Sequence, residues 1–327
     1  MPDPIVLLQA LAAAAVAAFI TLLAGLPWRT SRPACASLAC LLGTSLGLGI
    51  GCWILGVLPH WPMREDQDRL LLGLLPAVLV VEVLAMFMSR APWLAWSLRL
   101  LVAVGAARLL LDGTVYITDL AGPETREWTP TQTWLILGLL AVGLAGTWVL
   151  LSLLLRRRVP PAPTDVTWRT ASVVLAVALA SGGAGVALML SGYASGGQLG
   201  FPLAGALAGV AAGSLLLKGR ADLQGVLGFG MVALFGLIVI GRFFGQLTSA
   251  HAIELFLAPL VCWIPELPYL RRGRAWLLAP VRVVLTAVPV TLVVMMAHQQ
   301  FVADSARTAP SPDAVEPSLE DYMNFGK

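Results

Sequence analysis

Apolar residues fall into ten runs along the chain, each long enough, as a helix, to cross about 30 Å of hydrocarbon. The runs are Ile5–Leu26, Ala34–Leu58, Leu70–Met88, Trp93–Leu111, Trp134–Leu155, Trp168–Leu190, Leu199–Leu217, Leu223–Phe244, His251–Leu270 and Trp276–His298. Charged residues and prolines gather mostly between them. The pattern predicts an all-α, polytopic membrane bundle of about ten transmembrane helices over residues 1–301. The seventh and ninth runs are the least regular. Gly192, Gly196, Gly197 and Gly200 open the seventh, and the ninth holds Glu254, Pro259, Pro265, Glu266 and Pro268. The first run has no basic leader and is long for a signal-peptide core, so it reads as a retained span. Residues 302–327 mix Pro, Ala, Ser and acids. They lack the apolar surface that would offset their ordering entropy and are expected to form a disordered outer tail.

Composition points the same way. Hydrophobic residues make up 58% of the chain, charged residues 12%, and mean hydropathy is +0.84. Soluble domains carry roughly a quarter charged residues, so the natural solvent here is a bilayer. The net charge of +3 gives no reason to expect nucleic acid as a partner. Cys35, Cys40, Cys52 and Cys262 lie in or beside apolar runs and read as small buried hydrophobes.

The placement of basic residues sets an orientation. Arg29, Arg32, Arg90, Arg156, Arg157, Arg158, Arg169, Lys218, Arg220, Arg271, Arg272 and Arg274 follow the odd-numbered runs, and make up twelve of the 21 basic residues. The opposite side holds Arg64, Arg69, Arg126, Arg307 and Lys327. The positive-inside rule then puts both termini outside a plasma membrane, of bacterial inner-membrane type. Trp28, Trp61, Trp93, Trp134, Trp168 and Trp276 stand at run ends, where interfacial anchors belong.

A shift of 183 residues lays Pro76 on Pro259, Trp93 on Trp276, Arg99 on Arg282 and Gly47 on Gly230. It raises a parallel repeat of spans 3–4 and 9–10. Chance similarity among Leu-, Val- and Ala-rich runs is the alternative.

Ionisable groups at membrane depth cost about 2.5–3.5 kcal/mol each on insertion scales, so they are expected in pairs or facing a wet interior. Glu82 and Arg99 are equally far from the turn that joins spans 3 and 4 and should sit at one depth. Glu266 and Arg282 repeat that arrangement loosely in spans 9 and 10. Arg108 and Asp112 form an i,i+4 pair on span 4. These six are the candidates for a substrate or ion pathway, with structural ion pairs as the plainer reading. Arg99 and Arg108 fall on opposite faces, which predicts that span 4 is the central helix. Glycine stripes Gly43, Gly47, Gly51 and Gly205, Gly209, Gly213 predict close helix packing.

Other chemistry finds little support. His60, His251 and His298 fall at outer span ends and could meet a metal with Glu254, but their spacing fits no metal motif, and neither metal nor cofactor is expected. The stretches Ala180–Gly182 and Ala194–Gly196 fall short of the GxSG motif of intramembrane serine proteases, because Leu179 and Tyr193 stand where its first glycine belongs. A phosphate-binding loop is missing too. Three readings therefore stand. The first is a secondary transporter or permease-like carrier of a small solute, favoured by the paired charges and the Gly- and Pro-interrupted spans. The second is a non-catalytic membrane subunit or scaffold with a protein partner. The third is a membrane-embedded enzyme acting on lipid-linked substrates.

Overall fold

A computed structural model describes residues 3–25, 33–63, 65–88, 91–117, 127–156, 163–216, 222–267 and 275–308. Most of the basic loop residues (Arg29, Arg32, Arg64, Arg90, Arg126, Arg157, Arg158, Lys218, Arg220, Arg271, Arg272 and Arg274), together with Trp28 and the tail beyond 308, lie outside the described residues.

The protein is an all-α membrane bundle, with no strand among the described residues. Its helices are α1 (Pro4–Ala24), α2 (Pro33–Ile54), α3 (Asp66–Phe87), α4 (Pro92–Leu110), α5 (Pro130–Arg156), α6 (Pro163–Leu190), α7 (Ala194–Leu216), α8 (Gln224–Phe243), α9 (Ser249–Leu257) and α10 (Ala275–Thr308). Prolines open α1, α2, α4, α5 and α6, where the missing N–H has no intrahelical acceptor to lose. The Asp3 carboxylate caps α1 by accepting from the Ile5 N–H at 2.9 Å.

Among the described residues, nine helices are long and apolar enough to cross a membrane. The ninth apolar run is not one of them, which corrects its reading as a continuous span. It forms α9 and then a 3-10 helix, Ala258–Glu266. Pro259 and Pro265 lack N–H groups and cannot continue an α ladder. A 3-10 helix rises more per residue than an α-helix, so the two nine-residue pieces together still reach roughly 30 Å. The segment does traverse the bundle. At one end, Gln246 donates its N–H to the Ser191 carbonyl, and the Tyr116 hydroxyl donates to Phe243 O. Glu266 lies at the other end, bonded to Arg282. That second end, where α2, α4, α6, α8 and α10 begin, is called the basic end below, after the Arg and Lys in the connecting sequence.

The central helix is α8, not α4. Every residue from Gln224 to Gly241 is buried. Glycines on several faces make this feasible: a Cβ at Gly230 would stand 3.1 Å from Leu207 of α7, at Gly236 2.5 Å from Leu70 of α3, and at Gly241 2.6 Å from Leu188 of α6. Without side chains at these points, neighbours close in on α8 from all sides. By contrast α4 shows Leu101 and Val104 on its surface, 68% and 61% exposed. The expectation failed because Arg108 and Asp112 sit at the helix end and pair in the open, needing no protein around them.

Both glycine stripes pack on α1, and the α2 stripe also meets α7 at Pro202 and Ala206. Gly43 and Gly47 of α2 back onto the Ala18 and Ala14 carbonyls, and Gly205 and Gly209 of α7 onto those of Leu11 and Ala15. Away from these contacts, large apolar side chains face outward on α1, α4, α5 and α10, as a lipid-facing belt requires. Trp61, Trp93, Trp134 and Trp276 are exposed at helix ends, and Trp168 partly so.

Helix α10 runs on to Thr308, past residue 302, where the tail was expected to begin. Past the apolar stretch the helix is held by its own polar residues: Ser305 Oγ donates to Phe301 O, and Arg307 lies 3.5 Å from Asp304.

At the end opposite the basic one, α3 opens with a π-helical stretch, Arg69–Leu74, in which the Leu75 N–H bonds to Leu70 O. Pro76 follows and supplies no N–H to Leu72 O, so the ladder shifts by one residue. Arg69 donates to the carbonyls of Leu110 and Asp112 and caps the end of α4. The buried Asp66 accepts from the Tyr193 hydroxyl at 2.8 Å through both carboxylate oxygens. Burial first, then the bond to Asp66, raises the tyrosine's pKa above its ordinary value, so it remains a donor at neutral pH. This bond ties α3 to the segment joining α6 and α7. Tyr193→Phe is expected to destabilise the fold by about 1.5–3 kcal/mol, the range for a hydrogen bond to a charged group, read as a lower unfolding midpoint. An unchanged midpoint would show that the bond adds nothing.

Candidate functional site

Depth matching on α3 and α4 brings Glu82 and Arg99 together. Arg99 Nε donates to Glu82 Oε1 at 2.8 Å and Nη2 to Oε2 at 2.6 Å, a two-point fork. Both side chains are at most 5% exposed. Gly228 on α8 makes room for the carboxylate, since a Cβ there would lie 2.6 Å from Glu82 Oε1. The guanidinium carbon also lies 5.0 Å from the Trp96 ring centroid and 5.8 Å from that of Trp148. Aromatic faces near a desolvated cation add further stabilisation.

A cavity of about 540 Å³ at the basic end reaches this pair. Its polar lining is Ser37 of α2, Glu82, Arg99, Arg156 of α5, Gln224 of α8 and Asp222. Arg156 grips the Gln224 side chain, with Nε and Nη2 donating to Oε1 at 3.1 and 2.8 Å. Asp222 is exposed; its Oδ1 accepts from the Gln224 N–H, and its own N–H donates to Ser37 Oγ. Five elements thus converge on one polar chamber. Of its polar residues, only Glu82 and Arg99 stood out in the sequence as site candidates. Arg156 was counted there as a topology signal, and Ser37, Asp222 and Gln224 carry no periodic mark.

Glu266 and Arg282 also pair, Arg282 Nη2 donating to Glu266 Oε1 at 2.7 Å. Arg282 Nη1 donates to Ser172 Oγ of α6 at 3.3 Å. One turn along α10, Thr286 bonds back to the Arg282 carbonyl and lies 3.7 Å from Cys262 Sγ. The two hairpins therefore share a buried ion pair, but their surroundings differ: α4 packs on α5 and α8, whereas α10 packs chiefly on α6.

Arg108 and Asp112 pair at 2.7 Å but are 50% and 60% exposed, so they stand at the surface, away from the chamber. His60, His251, Glu254 and His298 lie at the end opposite the basic one. His251 is buried on α9 and His60 and His298 are exposed, and among the described residues no three metal-binding side chains come together.

A second cavity, of about 290 Å³, opens between α2 and α3. Its lining is apolar apart from Ser45, whose hydroxyl donates to Leu41 O, and no titratable pair adjoins it.

Comparison with known proteins gives no match, either to a family model or to a curated protein.

Proposed function

We propose that this multi-pass membrane protein is a carrier that moves a small polar solute through the chamber ending on Glu82 and Arg99. The single observation that carries this reading is the chamber itself: a solute-sized space bounded by five elements, lined in part by polar and charged side chains, that reaches a buried ion pair. Charges at membrane depth cost less where they face a water-filled space, and such a space is what a polar solute needs. The broken α9 segment and the π-helical stretch of α3 interrupt two of the spans, a feature of carriers whose helices move around a site. The orientation proposed from the basic loops makes this chamber open to the inside. A scaffold gives no reason to keep such a space, and the apolar groove between α2 and α3 lacks the reactive groups that an enzyme on lipid-linked substrates needs.

Alternating access is the test. In a variant with its four native cysteines replaced, Ala95→Cys places a thiol on the chamber wall. A membrane-impermeant maleimide is expected to label it in both inside-out and right-side-out vesicles, because a carrier exposes its site to each side in turn. Labelling from one side only would identify a fixed structure and overturn the carrier reading.

A further inference from the structure

We infer that the chamber at the basic end binds an oxyanion, the carboxylate or phosphate group of its ligand, between Arg99 and Gln224. The argument is a count of hydrogen-bonding groups. Arg99 and Gln224 are 4% and 5% exposed, and both line the chamber. Buried Arg99 Nη1 and buried Gln224 Nε2 have no hydrogen-bond partner. The amide orientation is fixed, because both Arg156 donors fall on Gln224 Oε1.

Each buried side-chain acceptor here already takes at least one hydrogen bond. Both Glu82 oxygens are taken by Arg99, and Gln224 Oε1 by Arg156. The groups left with no partner at all are donors: two N–H bonds on a guanidinium nitrogen and two on an amide. A buried donor without a partner is costly, more so when charged, so a site with unpartnered donors favours a ligand that accepts.

The field agrees. Helix α8 starts at Gln224 and turns the positive end of its dipole toward the chamber. Gly225, also in the lining, keeps side-chain bulk away from that helix end. Asp222 opposes an anion and already accepts the Gln224 N–H at that helix end, but it is exposed, and water and salt screen it. The inference names the solute class of the proposed carrier and rests on that reading for transport. Binding at the chamber is separable from movement.

The test is binding of inorganic phosphate and of succinate to the full chain in phosphatidylcholine nanodiscs, at constant ionic strength, followed by tryptophan fluorescence, to which Trp96 and Trp148 beside Arg99 contribute. Saturable binding is expected for at least one of them. Gln224→Glu keeps an acceptor for Arg156 but replaces the free N–H₂ with a carboxylate, and should weaken binding by about tenfold or more, as losing a charge-assisted hydrogen bond does. If that variant does not fold, Ala85→Trp, which fills the chamber from its wall, is expected to abolish the signal. Nanodiscs containing phosphatidylglycerol separate the two sources of the group. Loss of phosphate and succinate binding there identifies a lipid headgroup as the occupant, and unchanged binding a soluble anion. Absence of saturable binding by either anion in phosphatidylcholine, or binding unaffected by the substitution, would overturn the inference. Binding without alternating access would leave the anion site standing and refute the carrier.

Discussion

Replacing Arg99 with methionine is expected to destabilise the protein by about 3–5 kcal/mol, seen first as a collapse in folded yield. The reason lies in what remains. Glu82 has both oxygens bonded to Arg99 and is 1% exposed, so the variant strands a buried carboxylate that has lost both guanidinium bonds. Glu82→Gln should cost less, since an amide oxygen still accepts one bond from the guanidinium. Replacing both residues with methionine removes the stranded charge and is expected to recover most of the loss. A double-mutant cycle on unfolding free energy measures this, with a coupling of about 2 kcal/mol or more expected. Additive single effects would show that the two side chains, despite the fork, do not support each other. The double variant also separates two roles. Folded but inactive protein assigns the pair to the site of the proposed carrier; folded and active protein makes it a structural lock. Glu266 and Arg282 provide the internal comparison. They sit among Ser172, Cys262 and Thr286, so their double replacement should leave transport intact.

The Glu82–Arg99 contact was legible in sequence because a helical hairpin is nearly symmetric about its turn. Counting residues outward from the turn gives depth, and depth plus charge gives the partner. The same count finds Glu266 and Arg282, even though a 3-10 helix replaces half of that span, because both lie close to the turn, where the difference in rise has little length over which to accumulate. The rest of the chamber could not be found this way. Arg156, Asp222, Gln224 and Ser37 come from the ends of α5, α8 and α2, and only packing decides which helix ends meet. The identity of the central helix was available but misread. Charges on two faces of α4 suggested burial, whereas the better signal was α8, with glycines at 225, 228, 230, 236 and 241 and no charge until Arg242. Glycine on many faces marks a helix that must be approached from many sides. The prolines of α9 announced the break but not its form.

Gly209→Leu is expected to cause the other large loss, by separating α7 from α1. A Cβ at Gly209 would fall on the Ala15 carbonyl, and one at Gly205 on that of Leu11. These are backbone atoms of a helix that cannot rotate aside, because its other face is in the same position against α2. There a Cβ at Gly47 would stand 2.6 Å from Ala14 O, and one at Gly43 2.9 Å from Ala18 O. Between Leu7 and Leu22 the buried residues of α1 are all alanine, at 10, 14 and 18, so none of them can fold a long side chain away to absorb the strain. In a bilayer, association of these helices depends on close backbone approach, because apolar side chains gain little by leaving lipid. Overpacking commonly costs about 1–3 kcal/mol, and a clash against backbone on a helix wedged from both sides should reach the top of that range. Gly49→Leu is the control. It lies on α2 with nothing within 4 Å of its Cβ position and should be neutral or slightly stabilising through helix propensity. The measurement is the unfolding midpoint of both variants in the same detergent, with a cysteine crosslink between α1 and α7 as the local readout. A Gly209→Leu protein that unfolds with the wild type and retains the crosslink would show that the α1–α7 seam yields. The stripe would then be a sliding surface and not a fixed joint.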